Sequence, residues 1–287
     1  MALNAAALHD WVFEDRTQTY TDRDTMLYAL SLGFGSDPLD RDELRFVYEK
    51  NLVALPSMAV VLCHLGAWIA DPLTGATRSK VVHGEQRVFV HKPLPPTGRL
   101  VSKARILGVQ DKGVDKGALI HVERAMSDAD TGEALVTVIN TSFCRADGGF
   151  KGSFGPTFQN HVLPERAAEH VVDLPVRPDA ALLYRLNVDR NPLHVDPEAA
   201  ERAGFARPIL HGLCTYGMAA RAILSSVLGY RADRLRSLEG RFSSAVYPGE
   251  TLRFELWVDS DVVSFRATVP ARRKTVFDNG RAEIAVT

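Results

Sequence analysis

The chain repeats itself, and that narrows its possible folds more than anything else in it. TDRDTMLYALSLG (residues 21–33) matches RPDAALLYRLNVD (residues 177–189), with Leu27 and Tyr28 over Leu183 and Tyr184. LPSMAVVLCHLGAW (residues 55–68) runs parallel to RPILHGLCTYGMAA (residues 207–220), each placing a proline, Pro56 or Pro208, ahead of an apolar run. HGEQRVFVHKPLPPTGRL (residues 83–100) parallels EGRFSSAVYPGETL (residues 239–252). The offset is everywhere close to half of the 287 residues, which argues for two domains of one architecture. Residues 146–165, rich in Gly, Pro and polar side chains, read as the linker. The expected domains are therefore residues 1–150 and 151–287.

Alternation sets the local structure. Leu252, Phe254, Leu256 and Val258 alternate with polar neighbours, and Val263, Phe265, Ala267 and Val269 do the same. Period two marks half-buried antiparallel strands, and residues 81–90, 100–109, 118–124 and 134–143 read the same way. Each half is expected to run short helix, long apolar helix, then several strands. The run 209–228 carries few charges and several small residues, which suits a helix enclosed by a sheet rather than one lying on a surface. The predicted class is α+β: a long helix wrapped by a curved antiparallel sheet, formed twice.

Composition removes several classes of function. A formal net charge of −1 gives no global field for nucleic acid or an anionic membrane. The longest apolar run, residues 58–70, is broken by His64 and too short to span a bilayer. Cys63, Cys144 and Cys214 are odd in number and widely spaced, which argues against a disulfide framework or zinc ribbon and for a reducing compartment. The first residues lack the basic start of a secretory signal and the final AVT is no SKL-type address, so the expected location is cytoplasmic.

The chemistry concentrates in YRLNVDRNPLHVDP (residues 184–197). It sets Asp189 and His194 on either side of an Asn-Pro turn in an otherwise apolar region, where a carboxylate and an imidazole can share and activate a water. Further on, RPILHGLCTYG leads through His211 and Gly212 into the apolar run, and a glycine at a helix start leaves N–H groups open to a developing anion. Taken alone, an Asp before Asn-Pro is a common turn former. His194 and Asp196 form H-x-D, but no further cluster has metal-ligand spacing, so no metal is expected. Asp196 and Pro197 more simply supply the N-cap and first residue of a helix. His211 reads as a packed residue fixing the Gly212 turn, and Cys214 as inert packing.

These motifs resemble the R-specific (MaoC-like, type 2) enoyl-CoA hydratases, which have a double hot-dog fold, and especially the hydratase region of the peroxisomal multifunctional enzyme of fatty-acid oxidation. The pattern Y-R-L-S-G-D-x-N-P-L-H-x-D-P is met from Tyr184 to Pro197, and P-I-L-H-G-L-C-T from Pro208 to Thr215. HGEQ, KPLP and DKG in the first half extend the likeness over nearly the whole chain. The resemblance implies reversible hydration of trans-2-enoyl-CoA to (3R)-3-hydroxyacyl-CoA, with Asp189 and His194 as the catalytic pair. Asn191 would hold the loop and the water, and the Gly212 N–H would be the oxyanion donor. Acyl-CoA contacts would fall at His83, Gly84, Lys112, Arg190, Pro192, Leu193 and Phe242. No cofactor is implied, CoA being part of the substrate, and the expected assembly is a homodimer.

Two features qualify the match. DPLD (residues 37–40) echoes NPLH, setting Asp40 opposite His194 and Gly35 opposite Asp189, so the first half has no catalytic pair and is expected to supply ligand-binding surface. The Ser-Gly before the catalytic Asp is Asn187-Val188 here. Either Val188 takes an ordinary backbone conformation or the site is reshaped. Competing activities for such a chain are a hot-dog acyl-CoA thioesterase and a non-catalytic acyl-CoA-binding subunit.

Overall fold

The alternating segments are strands. A computed structural model describes residues 3–286; Met1, Ala2 and Thr287, which end the segments read above for targeting, lie outside the described residues. The strands are β1 (Arg16–Tyr20), β2 (Val81–Val90), β3 (Gly98–Asp111), β4 (Ala118–Asp128) and β5 (Ala134–Cys144), then β6 (His170–Pro175), β7 (Leu235–Phe242), β8 (Thr251–Asp259), β9 (Val262–Val269) and β10 (Lys274–Ile284). They form one 10-stranded sheet in the order β1-β3-β4-β5-β2-β7-β10-β9-β8-β6. All pairings are antiparallel. Reading outward from the centre, the two halves give the same connectivity. β2 and β7 meet at the seam, where Glu85 pairs with Arg241, Arg87 with Glu239 and Phe89 with Ser237. The outermost strands, β1 and β6, precede the rest of their halves in sequence.

The alternation expected for β8 and β9 places Leu252, Phe254, Leu256, Val263, Phe265, Ala267 and Val269 fully out of solvent. They pack on the buried face of the longest helix. The helices are α1 (Ala5–His9), α2 (Asp22–Ser31), α3 (Arg41–Leu44), α4 (Ala180–Tyr184), α5 (Pro197–Arg202) and α6 (Gly212–Ser226). Every residue of α6 from Cys214 to Leu224 is buried, as a run of apolar and small side chains with a single charge, Arg221, allows. A core of side chains from both halves surrounds it. Gly217 in its middle lets α2 approach: a Cβ there would lie 2.6 Å from Leu32 Cδ2 and 2.9 Å from the Tyr28 hydroxyl.

One expectation fails. The first half has no counterpart of α6: the chain makes only a 3-10 turn, Pro56–Val60, followed by irregular backbone. The reason lies in two arginines on the sheet. Arg124 of β4 donates to the carbonyls of Val60, at 2.9 Å, and Leu62. Arg16 of β1 donates to those of His64 and Leu65, at 2.7 and 3.3 Å. These acceptors would otherwise receive the N–H groups of a continuing helix. Cys63 at φ +48° and Gly66 at φ +70° break the helical path as well. The sheet therefore wraps one long helix, not two.

Across the two halves, a buried ion pair joins α6 to the first repeat. Arg221 donates from Nε and Nη2 to Glu43 Oε1 at 3.0 and 2.6 Å, while Glu43 Oε2 accepts the Gly35 N–H at 2.8 Å. Asp40, the sequence counterpart of His194, caps α3 through the N–H groups of Asp42 and Glu43.

Candidate active site

α4 ends in a turn that delivers Asp189 to the junction of the two halves. Asn187 secures that turn, donating to the Tyr184 carbonyl at 2.9 Å and to Ser31 Oγ on α2 at 3.2 Å. Val188 packs against the core with no left-handed φ, so the departure from Ser-Gly is absorbed in ordinary backbone. Asp189 Oδ1 accepts the Asn191 N–H at 3.0 Å, which fixes the carboxylate within its own turn. Asn191 Oδ1 accepts the Leu193 N–H at 3.1 Å and caps the 3-10 turn Pro192–His194. The Asn191 side chain thus holds the loop.

That 3-10 turn carries His194 beneath the surface. Its Nδ1 lies 2.8 Å from the Ile209 carbonyl, which can only accept, so Nδ1 bears the proton and the neutral ring leaves a lone pair on Nε2. Nε2 faces Asp189 Oδ2 across 3.9 Å. That is too far for a direct hydrogen bond and suited to one bridging water. Burial pushes the His194 pKa below the ordinary histidine value, partly offset by the Ile209 bond and by Asp189. The imidazole is consequently a neutral base beside a half-exposed carboxylate.

Behind the pair stands His211. Its Nε2 donates to the Asp189 carbonyl at 3.0 Å and its ring stacks on that of His194, centroids 3.7 Å apart at 25°. Burial, then the His194 charge, hold it down at about 4. Asp189, His194 and His211 bring one ligating atom each within 4.8 Å of one another. Stacked rings keep their in-plane lone pairs roughly parallel, however, and one His211 nitrogen is already committed. Proton exchange suits this group better than metal ligation.

α6 begins at Gly212 directly after its N-cap, His211; the Cys214 N–H bonds the His211 carbonyl at 3.0 Å, and the N–H groups of Gly212 and Leu213 have no intrahelical acceptor. A Cβ at Gly212 would lie 3.1 Å from the Phe242 ring, so the glycine lets the aromatic wall close on the helix start. Phe242 in turn lies against His83, ring centroids 4.6 Å apart. His83 is pushed down to about 4 by burial and has the Asn140 amide nitrogen 2.7 Å from its Nε2. Gly84 occupies the irregular step in the β2–β5 register, with the Thr141 carbonyl 3.2 Å from where a Cβ would be.

A cleft of about 220 Å³ opens from Asp189. Leu213, Val60, Trp68 and Ile69 form apolar walls, with His64, His83, Gln86, Asn140 and Ser142 between them. Asp189, His83 and Leu213 thus share one cavity. The other residues expected to touch substrate lie outside its lining. Lys112 is exposed in the β3–β4 hairpin, Arg190 and Pro192 are exposed, and Leu193 is half-buried under the loop. His64 was missed as a site residue. Its one sequence signal was that it interrupts an apolar run. It accepts the Gly66 N–H on Nδ1 at 3.0 Å, and burial sets it at about 4.

Known proteins resemble this chain over most of its length. The family described as MaoC like domain matches residues 158–279, and the MFE-2 hydratase 2 N-terminal domain matches residues 18–146. "Enoyl-CoA hydratase 2, peroxisomal" of Arabidopsis thaliana is 39% identical over 274 residues, 90% of this chain and 88% of that protein. The crystal structure of a MaoC-like dehydratase from Phytophthora capsici superposes with a TM-score of 0.87 at 31% identity, covering 99% of this chain and 100% of the other. A Mycobacterium tuberculosis protein described as having a double hotdog fold superposes at 0.56 and 15% identity, over 97% of this chain and 98% of that one. That last likeness is one of fold alone.

Proposed function

The chain belongs to the MaoC-like dehydratase family, with a hydratase 2 N-terminal domain ahead of the MaoC-like one, and on that premise we propose how it carries out the hydration of enoyl-CoA thioesters. The supporting observation is the 3.9 Å gap between His194 Nε2 and Asp189 Oδ2 at the cleft, beside the start of α6.

In a trans-2-enoyl thioester the carbonyl withdraws density from C3. A water held between Asp189 and His194 attacks C3 as His194 Nε2 takes one of its protons, and the resulting imidazolium lies against the carboxylate. Charge moves to the carbonyl oxygen, where the Gly212 N–H and the positive end of α6 receive it; one such donor contributes about 3–4 kcal/mol. The proton then returns to C2 from the same face, so H and OH add syn; the (3R) configuration of the 3-hydroxyacyl thioester is what the family resemblance implies for the face of C3 that meets the water. Dehydration runs the same steps backwards. Water addition involves no net electron transfer, so the reaction calls for no redox cofactor, and CoA arrives on the substrate.

In this reading residues 151–287 form the catalytic domain, and residues 1–150 the domain that shapes the acyl-CoA site with His83 and Gly84. On the same reading we put Lys112, Arg190, Pro192 and Leu193, which do not line the cleft, on the path of CoA. We also assign a homodimer and a cytoplasmic setting. The three cysteines are free and buried, which suits a reducing compartment. Among the described residues no helix is long and apolar enough to cross a membrane.

The test is hydration of enoyl-CoA, followed by loss of the conjugated thioester absorbance with chiral analysis of product. Asp189→Asn and His194→Gln are each expected to lower kcat by about 10²–10⁴-fold with an unchanged circular dichroism spectrum. Near-native turnover in either variant refutes the assignment. Free CoA release would point to a thioesterase, and binding without absorbance change to a non-catalytic subunit.

A further inference from the structure

We propose that His211 is the positioning residue of this site, setting Asp189, His194 and the start of α6 relative to one another. The inference rests on the catalytic reading above and deepens it. His211 meets all three parts. Its Nε2 donates to the Asp189 carbonyl at 3.0 Å, its ring lies flat on His194 at 3.7 Å, and it is the N-cap residue preceding Gly212. Tyr184 closes its surroundings, ring centroids 5.1 Å apart.

A packing role alone does not account for an imidazole here. His211 is 2% exposed and its Nδ1 is buried with no hydrogen-bond partner, which is costly compared with an apolar ring of the same size. What the imidazole adds is one N–H aimed at a carbonyl that anchors Asp189, on a flat face that sets the plane of His194. Because that carbonyl accepts, the proton sits on Nε2 and the ring is neutral. It must stay neutral, since a cation stacked on His194 would oppose protonation of the base. The groups facing it are His194, Asp189, Arg185 and Tyr184. Burial is the largest influence and holds His211 at about 4, so His194 can take the water's proton without a second charge beside it.

Two substitutions in the full chain separate the contacts. His211→Phe keeps a ring against His194 and loses the N–H; His211→Asn keeps a donor and loses the stacked face. His211→Phe is expected to lower kcat by about 10²-fold through displacement of Asp189, with KM nearly unchanged. His211→Asn is expected to lower kcat and to move the acid limb of kcat/KM to higher pH, as water reaches the uncovered face of His194. Native kcat per folded molecule with an unmoved acid limb in both variants, whatever happens to the melting temperature, overturns the proposal. If His211→Phe does not fold, the acid limb of His211→Asn alone supports or overturns it. Retained activity in Asp189→Asn or His194→Gln would sink the catalytic reading itself. Loss in those two beside native-like His211 variants would sink this inference only.

Discussion

At the scale of single residues, burial keeps a set of histidines neutral, some at the site and one, His121 of β4, outside the cleft lining. His64, His83, His121 and His211 are each pushed down to about 4, chiefly by loss of hydration. In the unfolded chain they titrate near 6.5. Between those values the unfolded chain binds more protons than the folded one, so stability is complete above about pH 6.5 and is lost as pH falls toward 4. The melting temperature should accordingly be flat above neutrality and fall steeply below pH 6. A flat profile down to pH 4 would show these rings to be hydrated. The acid limb of kcat/KM, set by His194, should lie below the ordinary histidine value for the same reason. The closeness of Asp189 and His194 was legible from the sequence because an Asn-Pro turn brings near neighbours together. His64 and the contact of His211 with Asp189 were not, since both depend on which distant element the residue meets.

Elements show the same division between near and far. The strands declared themselves because one face of each is buried and the other is not. β1, β6, β7 and β10 lay outside the alternating segments read above, β1 and β6 being short edge strands. The missing first-half helix was illegible for a specific reason: the residues that unmake it, Arg124 and Arg16, lie on other strands. Arg124→Leu strips the acceptors at Val60 and Leu62 of their donors inside the core. It is expected to cost about 2–6 kcal/mol in chemical denaturation, each of the two lost buried partners typically costing about 1–3 kcal/mol. A helix would not form in compensation, because Cys63 and Gly66 still hold left-handed backbone. α6 offers a contest of two effects at Gly217. Alanine there gains about 1 kcal/mol of helix propensity. Its methyl would sit 2.6 Å from Leu32 Cδ2, and overpacking costs about 1–3 kcal/mol. The clash with α2 wins, so Gly217→Ala should be less stable than the native chain. A higher melting temperature would show that α2 yields.

For the molecule as a whole, the repeats share one core. α6 of the second half fills the space inside the sheet, and Arg221 reaches from it to Glu43 of the first. Both partners of that pair are under 10% exposed, so Glu43→Ala leaves a buried guanidinium uncompensated and should cost about 3–5 kcal/mol. Residues 151–287 expressed alone would lose Glu43, α2 and the β2 partner of β7 together. They should show no cooperative thermal transition, whereas a sharp one would mean the second half folds independently. The seam between β2 and β7 carries a further implication. Two separate copies of one gene product meeting edge to edge must accept every mutation twice. Here the partners are covalently joined and free to diverge, so the first lobe can lose a helix and recut its cleft while the turn carrying Asp189 and His194 opposite remains untouched.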